Sequence, residues 1–100
     1  MAFEVSFKDG SLEKLEQDAS YNPGYSAAIV KAFRKRMWAI RNAADERDLR
    51  EMKSSRLEKL KGDRKGQYSM RLNDQWRLLL EIEGKGTNKR IVVVAIEDYH

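Results

Sequence analysis

Residues 67–82 read QYSMRLNDQWRLLLEI, and the alternation within them decides the fold. Tyr68, Met70 and Leu72 fall on one side, with Gln67, Ser69 and Arg71 on the other. Asn73-Asp74-Gln75 makes a tight connection, after which Trp76, Leu78, Leu80 and Ile82 share a face opposite Arg77, Leu79, Glu81 and Glu83. A period of two is the signature of a strand with one face buried. The stretch is therefore an antiparallel hairpin with one apolar face.

On its C-terminal side, GKGTNK provides a hairpin loop with two glycines, and Arg90 to Ile96 follows as the most apolar strand. Such a run suits a central strand covered on both faces. On its N-terminal side, Phe3, Val5 and Phe7 alternate with Glu4 and Ser6 as a further half-buried strand. Asp9-Gly10-Ser11 offers a turn and an N-cap for a short helix, SLEKLEQD, with Leu12 and Leu15 inward. Pro23 and Gly24 break it.

From about Ser26 to Ala44 the period becomes helical. Ile29, Phe33, Met37 and Ile40 lie on one face, widened by Val30, and the basic residues fall largely outside it. This stripe reads as core, with Trp38 toward its flank. DERDLREM forms a further short helix with Leu49 and Met52 inward, and KSS opens a loop. The expected architecture is one α+β domain over residues 1–100. N-terminal helices pack on a mainly antiparallel sheet of three to four strands.

Composition narrows the function. The 100 residues contain no cysteine and one histidine, so neither a disulfide nor a cysteine–histidine metal site is available. Neither a signal peptide nor an apolar span long enough for a bilayer is present, and the expected location is the cytoplasm. The net charge of +4 points to a polyanionic partner. Lys31, Arg34, Lys35, Arg36 and Arg41 occupy one acid-free segment, for which an ordinary solvated helix surface is the simpler reading. A second basic block runs from Lys53 to Lys65, in a loop beside the sheet.

The chain closes on Glu97-Asp98-Tyr99-His100 directly after the apolar strand. Alternation alone leaves open whether the Ile91, Val93, Ala95, Glu97, Tyr99 set or the Val92, Val94, Ile96, Asp98, His100 set faces outward. Arg77, in an otherwise apolar strand, calls for an anionic partner. An acid on the neighbouring strand and a functional anion satisfy that demand equally well. A basic loop, a strand arginine and a terminal Asp-Tyr-His converging at one end of the sheet are what metal-free RNA cleavage needs. A base takes the ribose 2′-hydroxyl proton, cations stabilise the phosphorane, and an acid protonates the leaving 5′-oxygen. Histidine can serve in either proton role near neutral pH, and Asp98 and a terminal carboxylate would favour its charged, acid form.

LKGDRKGQYSMRLNDQWRLLLEI (60–82) with IVVVAIEDYH (91–100), and SAAIVKAFRKRMWAIRNA (26–43) as second helix, resembles the HigB branch of the RelE/ParE toxin superfamily. The resemblance implies a compact microbial-ribonuclease-like fold and the toxin of a type II toxin–antitoxin pair. Its activity would be ribosome-dependent, metal- and cofactor-free cleavage of messenger RNA in the A site. It further implies a helix-turn-helix antitoxin of the HigA kind, with operator DNA reached only through that antitoxin, and no membrane association. The family's active-site positions fall here on Asp98, Tyr99, His100, Lys61 and Arg77. Arg64 joins them on chemical grounds, and Arg56, Lys59, Lys65 and Arg71 are the accompanying candidate RNA-binding cations. HigB toxins carry a second histidine in segments such as RLHPLKG. This chain has RLEKLKG, so either Glu58 at that place is the proton acceptor, or His100 carries proton transfer with Lys61 and Tyr99, or the activity is weak. Two further readings are a ParE-like inhibitor of DNA gyrase, against which the terminal DYH speaks, and a catalytically weak member that binds RNA or antitoxin.

Overall fold

The computed structural model of the chain describes residues 3–44, 46–51, 56–60, 62, 66–84 and 89–98. Strand β1 (Glu4–Phe7) leads into helices α1 (Gly10–Gln17), α2 (Ala27–Asn42) and α3 (Glu46–Glu51). Strands β2 (Glu58–Lys59), β3 (Gln67–Arg71), β4 (Trp76–Glu83) and β5 (Arg90–Asp98) follow.

Helix starts lie where the capping residues put them. Asp9 accepts the Ser11 backbone N–H at 2.8 Å, and the Ser26 hydroxyl accepts that of Ile29 at 3.2 Å. Between α1 and α2, the Asn22 side chain accepts from the backbone N–H groups of Gly24 and Tyr25. Gly24 itself has φ 132, a conformation that side chains with a Cβ rarely adopt.

The sheet has five strands in the order β1-β5-β4-β3-β2, with β1 parallel to β5 and every other pair antiparallel. The expectation of three to four strands was one short because Glu58–Lys59 was read as loop. A two-residue strand leaves no periodicity to detect. It is held as the edge of the sheet by pairing of Glu58 with Ser69 and Lys59 with Tyr68, and by the Leu60 N–H donating to the Gln67 carbonyl at 2.9 Å.

The core lies between the helices and one face of the sheet. Phe33, Met37 and Ile40 of α2 meet Leu12 and Leu15 of α1, Leu49 of α3, and Met70, Leu78, Leu80, Ile91, Val93 and Ile96 of the sheet. Fully burying one such side chain contributes about 1.5–3 kcal/mol, so this single cluster supplies most of the driving force. Leu49 is fully buried as expected, whereas Met52 lies outside the described residues.

The basic residues of α2 divide. Lys31 and Lys35 are exposed. Arg34 donates to the carbonyls of Leu15 at 3.0 Å and Asp18 at 3.1 Å, closing the C-terminal end of α1. Arg41 holds Glu16 through two bonds of 2.5 and 2.7 Å. Arg36 departs from the expected pattern: it is 7% exposed, on the buried side of the helix. Its Nε donates to the Arg71 carbonyl at 2.9 Å, so the side chain ties α2 to the end of β3. Burial, with the nearby Arg71 charge, lowers its pKa from the ordinary arginine range.

Candidate active site

Facing residues on antiparallel strands share a side of the sheet, so the register sorts the candidate residues by face. Away from the helices, Arg71 of β3 stands opposite Arg77 of β4, and Arg77 opposite Glu97 of β5. The next row on the same face joins Glu58, Ser69, Leu79 and Ala95. A third places Gln67 and Glu81 beside Val92. Ser69, Arg71 and Arg77 therefore lie on the side away from the helices, as the alternation indicated, and Glu58 joins them; Ser69 and Leu79, in the middle of that face, are buried.

Strand β5 settles the question that alternation left open, and neither regular set is right. Leu79 pairs with Ala95 while Leu80 pairs with Val93, so Val94 has no residue opposite it. This one-residue bulge resets the parity. Before it, Ile91 and Val93 face the core; after it, Ile96 does, and Asp98 stands opposite Trp76 on that same side. Ala95 and Glu97 go to the open face.

Asp98 is exposed and accepts from Gln75 Nε2 at 3.0 Å. Its neighbour across the register, Trp76, packs edge-on against Tyr25, with ring centroids 6.4 Å apart and planes at 86°. The two rings border a groove of about 450 Å³ that Ser11, Ser26 and Ile29 also line.

The turn between β3 and β4 positions several of these groups. The Asn73 side chain accepts from the backbone N–H groups of Gln75 and Trp76, both at 2.8 Å, and the Asn73 backbone carbonyl accepts from Arg77 Nη1 at 2.8 Å. Arg71 is drawn to Asp74 of the same turn in an ion pair. Reading Asn73-Asp74-Gln75 as a plain connection missed this role. The signal was present, because Asn in a tight turn bonds the backbone two residues on.

Arg56 and Lys59 are exposed, on or beside β2, and Arg56 has the unusual φ of 45. Lys61, Arg64, Lys65, Tyr99 and His100 lie outside the described residues. At the far end of the open face, Lys8 donates to Glu81 at 3.0 Å and Gln67 donates to the same carboxylate at 3.2 Å. These bonds, Lys8 first, hold the Glu81 pKa below the usual carboxylate value. Among the described residues, no group of three or more His, Cys, Asp or Glu side chains is placed to hold a metal ion. No described helix is long and apolar enough to cross a membrane.

Helices thus cover one face of the sheet, and arginines and carboxylates are ranked along the other. The fold matches a YoeB/ParE toxin from Agrobacterium tumefaciens with a TM-score of 0.61 and 18% identity, covering 98% of this chain and 100% of that one. It also matches the YoeB-YefM complex from Staphylococcus aureus with a TM-score of 0.59 and 24% identity, over 100% and 99% of the two chains. The profile of the HigB-like toxins, RelE-like toxins of type II toxin–antitoxin systems, matches residues 5–100. Toxin HigB-1 of Vibrio cholerae is 34% identical over 85 residues, covering 84% of this chain and 90% of the relative. The chain belongs to the HigB-like toxin family.

Proposed function

We propose that this toxin is a ribosome-dependent endoribonuclease that cuts messenger RNA in the A site by 2′-hydroxyl attack. It acts in the cytoplasm and is restrained by a helix-turn-helix antitoxin of the HigA kind. The observation that carries the reading is the facing of Arg71 and Arg77 on the open side of the sheet. Arg71 is paired with Asp74 and Arg77 stands opposite Glu97, so two guanidinium groups lie side by side with carboxylates at their margins. A phosphodiester can exchange for those carboxylates, and planar guanidinium forks suit its oxygens.

In this scheme Arg77, with Lys61, stabilises the charge that accumulates on phosphorus. Arg71, Arg56, Lys59, Arg64 and Lys65 hold the strand on either side of it. Glu58, facing the same open side from the sheet edge, accepts the 2′-hydroxyl proton. His100, aided by Tyr99 and Asp98, protonates the departing 5′-oxygen. An antitoxin partner also fits the fold, since the Staphylococcus aureus toxin of this shape is a complex with YefM.

The test maps cleavage of translated and untranslated messages in cells expressing the protein. Cuts within translated codons, lost in Arg77→Ala and in His100→Gln with the fold retained, support the assignment. Full activity in both variants overturns it.

A further inference from the structure

Trp38 is 69% exposed, and it is the one large hydrophobic side chain among the described residues that stands this far into solvent. At about 100° per residue, Lys31, Lys35, Trp38 and Asn42 fall in one stripe of α2, opposite the buried Ile29, Phe33, Met37 and Ile40. All four are exposed, and α2 contains no acid anywhere along its 16 residues. The Asn42 amide is tied to the Trp38 carbonyl at 2.7 Å. Because α2 packs its other face on the sheet, this stripe points away from the Arg71–Arg77 row.

We infer that the stripe of Lys31, Lys35 and Trp38 is a docking surface for ribosomal RNA, with the indole stacking on an unpaired base. The inference rests on the ribosome-dependent reading above. An enzyme that admits messenger RNA on its open sheet face can be gripped by the ribosome from the other side. The chemistry of the stripe selects the occupant. A partner helix seated on a protein surface needs several apolar anchors at helical spacing. Here the neighbouring positions carry amines, an amide and small alanines, and Trp38 is the one large apolar side chain among them. One flat ring flanked by cations is sufficient for a base and its adjoining phosphates.

The experiment compares the parent protein with Trp38→Ala, Trp38→Phe and the double Lys31→Ala/Lys35→Ala variant. Circular dichroism verifies each fold, and equilibrium binding to purified 70S ribosomes is measured over a salt series. Trp38→Ala is expected to weaken ribosome binding about tenfold, and Trp38→Phe to stay within about threefold. The double lysine variant is expected to lower the slope of log K against log salt by between about one and two. Trp38→Ala binding within twofold of the parent overturns the inference while leaving the proposed cleavage intact. Loss of the co-expressed antitoxin with ribosome affinity unchanged also overturns it, and assigns the surface to a protein. A parent that cleaves no translated message and binds no ribosome removes both readings together.

Discussion

Arg77 and Asp98, both assigned to the candidate site, stand at the same end of the sheet but on opposite faces. Arg77 is aligned with Glu97 on the open side, while Asp98 is aligned with Trp76 on the helix side and held by Gln75. In the proposed mechanism the two would therefore act by separate routes. Arg77→Ala is expected to reduce cleavage by about 10²–10³, the cost of losing one preorganised cation at the transition state. In stability, Arg77→Ala and Asp98→Asn should couple by less than about 1 kcal/mol, because the register puts their side chains on opposite faces. Urea melts of the two single variants and the double variant measure this, and a coupling above about 1 kcal/mol would contradict the register.

Val94 is the residue that β5 holds out of register. Deleting it makes pairing continuous from Val93 to Ala95 and leaves every flanking residue on its present face. The Val94 deletion is therefore expected to fold, at a cost of no more than about 2 kcal/mol. It also removes the local twist that a bulge adds just before Glu97 and Asp98, so cleavage should fall further than stability does. Thermal unfolding followed by circular dichroism, beside a cleavage assay on the same preparation, separates the two effects. An unfolded deletion protein would show that the bulge is required for pairing.

These two relationships mark what could be read beforehand. The α2 core stripe and the β3–β4 hairpin were legible because each repeats its period over four or more positions. Ile29, Phe33, Met37 and Ile40 all proved buried, as did Met70, Leu78 and Leu80. The faces of β5 were not legible, because a bulge restarts the count and no residue type in VVVA marks where. Strand β2 was too short to have a period. Arg36 looked like a surface cation because its partner, the Arg71 carbonyl, is a backbone atom 35 residues away. For the site, residue types conveyed the chemistry, whereas the distribution of Arg77 and Asp98 between faces required the register.

Arg36 anchors α2 to β3 through a charged hydrogen bond to the Arg71 carbonyl in a nearly buried setting. Arg36→Ala removes both the bond and the packing of its aliphatic stem, and should destabilise by about 2–3 kcal/mol. Arg36→Met keeps much of the stem and should cost less. Because the acceptor is the Arg71 backbone, the Ala variant should also loosen the candidate phosphate row. Urea denaturation ranks the stabilities, and hydrogen exchange of the β3 amides reports the loosening.

Glu81 gives the fold an acid-side dependence. Its pKa is lower in the folded chain than in the unfolded one, chiefly through the Lys8 hydrogen bond. The stabilisation is therefore complete above the ordinary glutamate value, about 4.3, and is lost as pH falls through the depressed folded value. Lys8→Met removes the principal cause and should flatten that part of the stability profile between about pH 5 and pH 3. The difference should stay within about 1 kcal/mol, since Lys8 is half exposed and solvent screens the pair. Chemical denaturation across this pH range checks both sign and size, and a steeper acid loss in Lys8→Met would reverse the assignment.

In the proposed mechanism Glu58 takes the place of the second histidine of RLHPLKG-type sequences. It is exposed on the edge strand and aligned with Ser69, so it faces the same open side as Arg71 and Arg77. A carboxylate there can accept the 2′-hydroxyl proton without any other change to the sheet. Glu58→Ala is then expected to lower cleavage by about 10²–10⁴, the usual worth of a positioned base, with stability nearly unchanged. Glu58→His supplies an acceptor of the family kind at the same position. It should retain or raise activity, and the acidic limb of the rate profile should move to about pH 6.5, where imidazole loses its proton. Single-turnover cleavage of a ribosome-bound message from pH 5 to 8 measures all three proteins. If Glu58→Ala keeps the parent rate, proton abstraction belongs to another group, and Glu58 is only an edge-strand charge.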